Sequence, residues 1–410
     1  MVEVIGLRLT EGNLFFRNIS KNKQQYEYLN ENIECDILIV GGGVSGLITA
    51  YYMSEEGNNV ILVDKNIIGF GSTSSNIGML DYQLSIEHTK LIKSIGDKKT
   101  KRCAELCIES LKEIEKIVSV LGNKESIAFK RVNSILYTNK YMNKNMILKE
   151  YNAKSNSGLN VEIINDNECI DIRNGIEIKN ASAVMNVYEF TKELASYLSK
   201  KENVRIYEHT EIENIKSKED YTEAITSNKF KIKANNIIIT EGAEIIKDFP
   251  ELPVDLYRTY NIVTEKINEL EKLDTNFTAR NIEVPCEYMR FTKDNRIVFG
   301  GLINKLTEKE QNIIISKQIS NQKYRRLYKT FQETFYNLKE VKVECCFTGI
   351  YAETKDTLPI IDEMPGMPNV YCNLSYGING ILYSIIGAKM LKEINREYYA
   401  KDMHMFSVKR

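Results

Sequence analysis

Three glycines, Gly41, Gly43 and Gly46, form a G-x-G-x-x-G pattern directly after a short apolar run. In such a pattern the first glycine permits a tight turn, the second lets the backbone approach a pyrophosphate, and the third lets a helix pack closely on a strand. A helix that begins here would offer unpaired N–H groups and a positive dipole end to phosphates. Asp64 ends the next apolar run, where its carboxylate would accept hydrogen bonds from ribose hydroxyls. The spacing therefore indicates a dinucleotide-binding site.

A second candidate segment, "NIIGFGSTSSNIGML" at residues 66–80, places glycines around a run of Ser, Thr and Asn. Hydroxyl groups and exposed backbone amides in such a loop suit a second phosphate contact or the edge of a flavin ring. A polar surface loop explains the same composition equally well.

The elements that must position these residues can be identified from the sequence. "DILIV" (36–40) is a continuous β-branched run, typical of a buried parallel strand. Apolar residues then recur at helical spacing up to the helix stop at Gly57, and "NVILVD" (59–64) predicts a second strand. Strand, glycine turn, helix, strand and acid within about 30 residues favour the dinucleotide interpretation. The alternatives are a βα unit with incidental glycines and a membrane helix, which three glycines and "SEEG" argue against.

Composition narrows the class of protein. A chain of 410 residues predicts two or three domains, and 55 basic against 56 acidic residues give no basic excess for nucleic acid. The first residues lack the pattern of a signal peptide, and no second long apolar run suggests a membrane span. Eight cysteines without a CxxC pair, and only three histidines, argue against structural zinc and iron–sulfur clusters. We therefore expect free thiols and a cytoplasmic location.

Four later segments extend the pattern: 181–198 with 204–215, 233–244 and the C-terminal stretch 347–391, which contains "LSYGING". Together with the glycine motif and "GSTSSNIGML", they resemble the glycine oxidase / sarcosine oxidase / D-amino-acid oxidase family of FAD enzymes. The first and last motifs are fairly specific, whereas the middle ones are common to many FAD-binding folds. An NAD-dependent dehydrogenase is the weakest alternative, because it leaves the "GSTSSN" and "SYGING" segments unexplained.

The predicted fold class is α/β, with a discontinuous Rossmann-like FAD-binding domain and an inserted α+β substrate domain built on an antiparallel sheet. A helical stripe at 100–122 and strand patterns at 129–139, 256–266 and 288–301 support the insertion, as does a helix at 307–337. The predicted boundaries are an N-terminal arm at 1–35, FAD-binding parts at 36–98, 180–252 and 343–410, and substrate parts at 99–179 and 253–342. The arm either packs on the surface or on a partner, or is disordered.

The resemblance also implies a role for individual residues. The glycine motif would hold the pyrophosphate, Asp64 and Lys65 the adenosine end, and Ile212 the adenine through its backbone. Residues 72–76 would run beside the ribityl chain and ring, and residues 377–381 would present amides to the flavin N1, which is anionic when reduced. The residues assigned to the cofactor are Gly41, Gly43, Val44, Ser45, Gly46, Asp64, Lys65, Gly71, Ser72, Thr73, Ser74, Ser75, Asn76, Gly78, Ile212, Gly242, Gly349, Gly377, Ile378, Asn379, Gly380 and Ile381.

Two departures from the resembled family concern its chemistry. Tyr351 stands where that family carries an arginine that binds the amino-acid carboxylate, which a phenol cannot do bidentately, so Arg290 or Arg258 would have to replace it. Gly349 stands where sarcosine oxidases attach FAD through cysteine, with Cys345 and Cys346 nearby, so we expect non-covalent FAD. The lysine that promotes reaction with oxygen in those enzymes is missing near "RIVFGG", which leaves O₂ or a redox partner protein as acceptor.

The preferred hypothesis is an FAD-dependent oxidoreductase that oxidises the C–N bond of a small amine or amino acid by hydride transfer to flavin N5, giving an imine. Tyr288, Arg290 and Tyr351 are the candidate catalytic residues, the tyrosines as hydrogen-bond or cage residues around the amine. The alternatives are a flavoprotein subunit of a multi-component dehydrogenase and a flavin-binding protein without turnover. No nucleic-acid partner, metal or membrane span is expected.

Overall fold

The central strands of the smaller sheet are buried over much of their length, as their β-branched sequences predict: all of Val60–Val63 and the last four residues of Ile33–Val40 are buried. The computed structural model describes residues 9–82, 86–218, 221–311, 317–338, 340–374, 376–392 and 400–410. Its strands are β1 Thr10–Gly12, β2 Ile33–Val40, β3 Val60–Val63, β4 Met79–Asp81, β5 Lys130–Thr138, β6 Val161–Ile164, β7 Asn174–Val184, β8 Val204–Tyr207, β9 Ile212–Ser217, β10 Thr222–Thr226, β11 Lys231–Ile239, β12 Val254–Thr264, β13 Phe277–Asn281, β14 Tyr288–Phe291, β15 Ile297–Lys305, β16 Val343–Thr354, β17 Ile360–Glu363 and β18 Val370–Leu374.

Helices connect these strands and cover the sheets. They are α1 Phe15–Asn18, α2 Val44–Glu55, α3 His88–Ile95, α4 Asp97–Leu121, α5 Lys124–Ile127, α6 Lys144–Asn156, α7 Val187–Leu198, α8 Glu308–Gln311, α9 Lys317–Thr334, α10 Gly380–Leu391 and α11 Ala400–Met403. Short 3₁₀ turns occur at Ser72–Ser75, Tyr141–Asn143, Gly242–Lys247 and Asn268–Lys272. In the described parts of the chain, no helix is both long enough and apolar enough to cross a bilayer.

The smaller sheet has the order β17-β18-β11-β2-β3-β8, and β9 and β10 form an extension on β11. Strands β18, β11, β2, β3 and β8 run parallel to one another. Helices α2, α7, α10 and α4 pack together in one hydrophobic core on this sheet. This parallel sheet with a glycine turn after its central strand β2 confirms the predicted Rossmann-like architecture.

The larger, ten-stranded sheet has the order β1-β16-β12-β15-β14-β13-β5-β7-β4, with β6 paired to β7. All its pairs are antiparallel except β5 with β13. Helix α9 covers one face, where Phe331 and Phe335 meet Phe299 of β15 edge to face. The predicted second domain on an antiparallel sheet is thus present, with one parallel pairing in its middle.

The two sheets do not follow the predicted domain boundaries strand by strand. Strand β16 lies within the predicted FAD-binding part 343–410 and pairs with β12 and β1 in the larger sheet. Strand β4, within 36–98, also belongs to the larger sheet, and β7 crosses the predicted boundary at 179/180. The physical reason is that backbone pairing between distant strands leaves no local signal in the sequence. The domain boundaries themselves stay predictions.

The described part of the N-terminal arm, residues 9–35, is ordered against the rest of the chain. Its strand β1 pairs with β16, and Phe15 and Phe16 are buried. The described part of the arm therefore packs on the surface of its own chain, which is one of the alternatives that the sequence analysis leaves open. Residues 1–8 lie outside the described residues.

Candidate active site

A cleft of about 560 Å³ lies where the carboxyl ends of β2, β3 and β11 meet the larger sheet. Its volume is within the range of roughly 300–1,000 Å³ that small-molecule and cofactor sites occupy. In an open parallel sheet, this edge is where ligands bind.

The glycine turn has the geometry that a pyrophosphate needs. Gly41 has a φ of +111°, and a Cβ on Gly46 would lie 1.9 Å from the carbonyl oxygen of Gly41. Gly43 precedes α2, whose first turn carries no acidic residue. The amide of Val44 donates to Oγ1 of Thr73 at 3.1 Å, which joins the turn to the hydroxyl-rich loop. The start of α2 thus faces the cleft with its positive dipole end and without an acidic side chain in its first turn.

Acidic groups surround the end of the cleft at Asp64 and Glu241. The Asp64 carboxylate accepts hydrogen bonds from the amides of Gly42 and Asn66, both at 2.7 Å. Lys65 Nζ pairs with Glu244 at 2.9 Å. Burial, reinforced by Asp248, raises the pKa of Glu241 to about 7. Asp64 is thus fixed by the backbone, so any contact with a ribose would come from a carboxylate of defined orientation.

The hydroxyl-rich loop packs directly on strand β16. Ser72 Oγ donates to the carbonyl of Ile350 at 2.7 Å. A Cβ on Gly349 would lie 2.4 Å from Oγ of Ser75, so a larger residue at position 349 would displace this loop. The loop is therefore a rigid wall of the cleft and not a free surface loop.

The C-terminal turn closes the other end of the cleft. Gly377 has a φ of +77°, and its amide donates to the carbonyl of Ala352 at 2.9 Å. Helix α10 begins at Gly380 and carries no acidic residue in its first turn. A second helix N-terminus thus faces the same cleft, where it would stabilise negative charge.

Most of the sequence-predicted cofactor residues line this cleft. They are Gly41, Gly43, Val44, Ser45, Asp64, Lys65, Gly71, Ser72, Thr73, Ser75, Asn76, Ile212, Gly242, Gly349, Gly377, Ile378, Gly380 and Ile381. This shared placement fits an elongated dinucleotide that runs from the acidic end, across the α2 N-terminus, to the α10 N-terminus.

The four other predicted cofactor residues are not among the lining residues. Gly46 lies in the first turn of α2 against the carbonyl oxygen of Gly41, and Gly78 lies against the carbonyl of Met185. Ser74 Oγ donates to the carbonyl oxygens of Phe70 and Gly71. Asn379 Nδ2 donates to the carbonyl of Asp81 at 2.8 Å. These residues shape the walls of the cleft without facing it.

The two predicted catalytic tyrosines lie in the cleft. The Tyr288 hydroxyl is 2.6 Å from Oγ1 of Thr259 and donates to Oδ1 of Asn261 at 3.0 Å. Tyr351 stacks on Tyr257 with ring centroids 5.7 Å apart. Burial raises the pKa of both Tyr288 and Tyr351, so both phenols are neutral at physiological pH.

The third predicted catalytic residue, Arg290, does not line the cleft. Its Nη1 donates to the carbonyl oxygens of Ile77, Gly78 and Met185 at 2.7 to 2.8 Å. Burial lowers the pKa of this guanidinium to about 9. Arg258, the other arginine considered, is buried outside the lining as well. Arg290 thus lies behind the wall formed by residues 77–79, which its side chain holds together.

The arginine that does line the cleft is Arg280, which the sequence analysis did not select. Arg280 pairs with Tyr288 across β13 and β14, so both side chains lie on the same face of the sheet. It lines the cleft and also a second compartment of about 220 Å³, shared with Ile303, Tyr351 and Ile378. The local sequence around Arg280 does not indicate that this arginine, and not Arg290, faces the cleft. Only the strand register decides this.

None of the eight cysteines lines the main cleft. Cys345 is buried among Phe15, Val263 and Phe347, and burial raises its pKa to about 12. The same cause raises the pKa of Cys346 to about 11. Thiolates, the nucleophilic form, are therefore disfavoured at both positions.

The profile of the family described as "FAD dependent oxidoreductase" (DAO) matches residues 36–394. Among curated proteins, the chain is similar to gamma-glutamylputrescine oxidoreductase of Escherichia coli (strain K12), at 22% identity over 95% of this chain and 90% of that protein.

Solved structures show the same fold. Glycine oxidase from Geobacillus kaustophilus aligns with a TM-score of 0.76 at 18% identity, over 92% of this chain and 99% of that one. L-proline dehydrogenase from P. horikoshii aligns with a TM-score of 0.75 at 16% identity, over 93% and 98% of the two chains.

Proposed function

This chain belongs to the DAO family of FAD-dependent oxidoreductases, and from that membership we propose that it oxidises the carbon–nitrogen bond of a small amine or amino acid to an imine. The observation that carries the proposal is the convergence of Arg280, Tyr288 and Tyr351 on the cleft that the cofactor segments line. The similarity to a gamma-glutamylputrescine oxidoreductase and to a glycine oxidase supports a nitrogen-containing substrate.

FAD is the cofactor of this family, and the cleft has groups suited to each of its parts. We assign the pyrophosphate to Gly43, Val44 and Ser45 at the start of α2, and the adenosine end to Asp64 and Ile212. Residues 377–381 would then lie at the flavin pyrimidine edge. When bound, FAD supplies the hydride acceptor of the reaction.

The substrate would lie between Tyr288, Tyr351 and Arg280. Thr259 and Asn261 fix the Tyr288 hydroxyl, so the phenol is oriented before the substrate arrives. The faces of neutral tyrosine rings attract cationic amines, and a guanidinium binds a carboxylate bidentately. Arg280 therefore replaces Arg290 in our assignment of the group that would bind an anionic end of the substrate.

Non-covalent binding of FAD is part of the proposal. The Cβ of any residue larger than glycine at position 349 would meet Ser75, and Cys345 lies in a hydrophobic core. Because neither position offers an exposed thiolate beside the cleft, a cysteinyl flavin has no attachment point there. The electron acceptor in this proposal is O₂ or a redox partner protein.

The test begins with the visible spectrum of the purified protein, before and after denaturation and filtration. We expect flavin absorption near 450 nm in the filtrate, and anaerobic bleaching of the native protein by an amine or amino acid. Oxygen uptake in the same reaction would identify O₂ as acceptor, whereas bleaching without uptake would identify a partner protein.

A matched pair of variants tests the assignment of Arg280. Arg280→Met should raise the concentration of an anionic substrate needed for half-maximal bleaching by about 10-fold or more, the effect of losing a charge-assisted contact. Arg173→Met, at an exposed arginine outside the cleft, should leave it unchanged. A colourless protein that takes up no FAD, or flavin that no amine bleaches, would contradict the proposed function.

A further inference from the structure

The second compartment of about 220 Å³ has an acidic wall. Three carboxylates line it, those of Glu87, Glu283 and Glu353, together with Arg280. The compartment shares Arg280 and Tyr351 with the main cleft. A substrate that is longer than the reacting amine could therefore extend into it.

Two of the three carboxylates are already used by the protein. Glu87 pairs with Lys90 at 2.8 Å. Glu283 pairs with Lys140 and accepts a hydrogen bond from Asn143 at 3.1 Å. The Glu353 carboxylate accepts no hydrogen bond from, and forms no ion pair with, any residue in the described part of the chain. Glu353 is thus the carboxylate of this wall that is available to a ligand.

The position of Glu353 is fixed by its strand. It lies two residues after Tyr351 on β16, so both side chains project from the same face of the sheet. A Cβ on Gly377 would lie 2.9 Å from Oε1 of Glu353, which places this carboxylate against the C-terminal turn. Burial without a compensating charge raises its pKa to about 7. A cation bound here would offset that burial cost.

We propose that Glu353 binds a second cationic nitrogen of the substrate, so that the natural substrate is a diamine or another amine with a distal basic group. The inference rests on the proposed function, because it assumes that the reacting amine lies in the adjoining cleft. The protein would then prefer such substrates over monoamines, because the Glu353 carboxylate gains an ion pair only when a second cationic nitrogen is bound.

Other titratable groups near Glu353 would not reproduce its pH dependence. The pKa values of Glu87 and Glu283 are lowered, and that of Cys286 is raised to about 11. Three tyrosines also lie near Glu353, and its negative charge helps to raise their pKa values: Tyr257, Tyr351 and Tyr383. The arginine of the compartment is Arg280. Among the described residues that line this compartment, Glu353 is the one whose charge changes near pH 7.

The test compares 1,4-diaminobutane with butylamine, which has the same chain but one nitrogen. Binding of each amine to the FAD-loaded protein is measured by calorimetry at pH 6 and pH 8. We expect the diamine to bind about 10- to 100-fold more tightly than butylamine at pH 8, as a charge-assisted contact implies. The preference should shrink at pH 6, where the carboxylate takes up a proton while the amines stay protonated.

Glu353→Gln should bind both amines alike at both pH values. Glu287→Gln is the matched control, because Glu287 is a buried glutamate with a pKa raised to about 7 that does not line either compartment. It should keep the preference of the unchanged protein.

The outcomes separate this inference from the proposed function. An unchanged preference in Glu353→Gln, or a wild-type preference that does not depend on pH, would overturn the role of Glu353. The pH comparison on the wild type decides the question even if the variant does not fold. If the protein prefers the diamine but no amine bleaches its flavin, Glu353 binds a cation and the proposed oxidation is wrong. If monoamines and diamines bleach the flavin equally well, the proposed oxidation stands and the role of Glu353 is wrong.

Discussion

Arg290 carries a charge in the interior without a carboxylate within 4 Å among the described residues. Its guanidinium also lies 5.0 Å from the centre of the Phe16 ring. Arg290→Met would leave the carbonyl oxygens of Ile77, Gly78 and Met185 without their shared donor. Among the described residues, only the carbonyl of Gly78 keeps another backbone partner, the amide of Met185 at 3.0 Å. Each buried acceptor left unpaired costs about 1–3 kcal/mol, and removal of a buried charge returns part of that. We expect a loss of about 2–4 kcal/mol in the free energy of unfolding.

Urea unfolding followed by circular dichroism measures this loss, since the chain has no tryptophan. Arg290→Lys is the control for charge, because it keeps a cation but cannot reproduce the fork of donors. It should be destabilised as well, by less than the methionine variant. Unchanged stability of Arg290→Met would show that the three carbonyl contacts contribute little.

Individual residues could be predicted where a motif fixes their position, and not where only tertiary pairing does. The glycine motif led to Gly41, Gly43 and Asp64, all of which line the cleft. Arg280 has no motif around it. Its place in the cleft follows from its register opposite Tyr288, which is set by the contacts of β13 with β5 and β14. A one-residue change of that register would turn the side chain to the other face.

In our proposal the N-terminus of α2 holds the pyrophosphate. Two glycines at this end of the helix have different roles: Gly46 allows close packing, and Gly43 lines the binding cleft. Gly46→Ala would place a Cβ 1.9 Å from the carbonyl oxygen of Gly41, so we expect a loss of about 3 kcal/mol in apoprotein stability. Gly43→Ala meets only Oγ1 of Thr73, at 3.2 Å, and its Cβ would enter the cleft. The second variant should keep apoprotein stability and bind FAD at least about 10-fold more weakly.

Urea unfolding of the apoproteins and FAD titration of both variants check this contrast. Equal effects of the two substitutions on stability would contradict the distinction between a packing glycine and a binding glycine. Normal FAD affinity of Gly43→Ala would instead place the pyrophosphate elsewhere in the cleft.

At the same scale, strand β16 shows what a sequence pattern leaves open. The predicted FAD-binding part at 343–410 includes this strand. In the structure the strand pairs with β12 and β1, which are distant in sequence. The strand therefore belongs to the larger sheet while Gly349 and Tyr351 line the cleft from it. The long helix at Asp97–Leu121 was predictable because its apolar period is local.

Across the whole molecule, the N-terminal arm links the two sheets. Leu9 accepts a hydrogen bond from the amide of Ile350 at 2.8 Å and lines the cleft. The amide of Lys21 donates to Glu189 of α7 at 2.9 Å, and the amide of Tyr26 donates to Glu208 at 2.9 Å, after β8. Loosening the arm should therefore disturb both the stability of the molecule and its cofactor site.

Phe16→Ala tests this link, because Phe16 is 3% exposed and packs beneath Arg290. We expect a loss of about 3–5 kcal/mol in the free energy of unfolding, accompanied by weaker binding of FAD, since Leu9 and β1 contact the strand that carries Gly349. Ile19→Ala, at a side chain that is 52% exposed, should change stability by no more than about 0.5 kcal/mol. If Phe16→Ala unfolds more easily but binds FAD as tightly as the unchanged protein, the arm stabilises the fold without supporting the cleft.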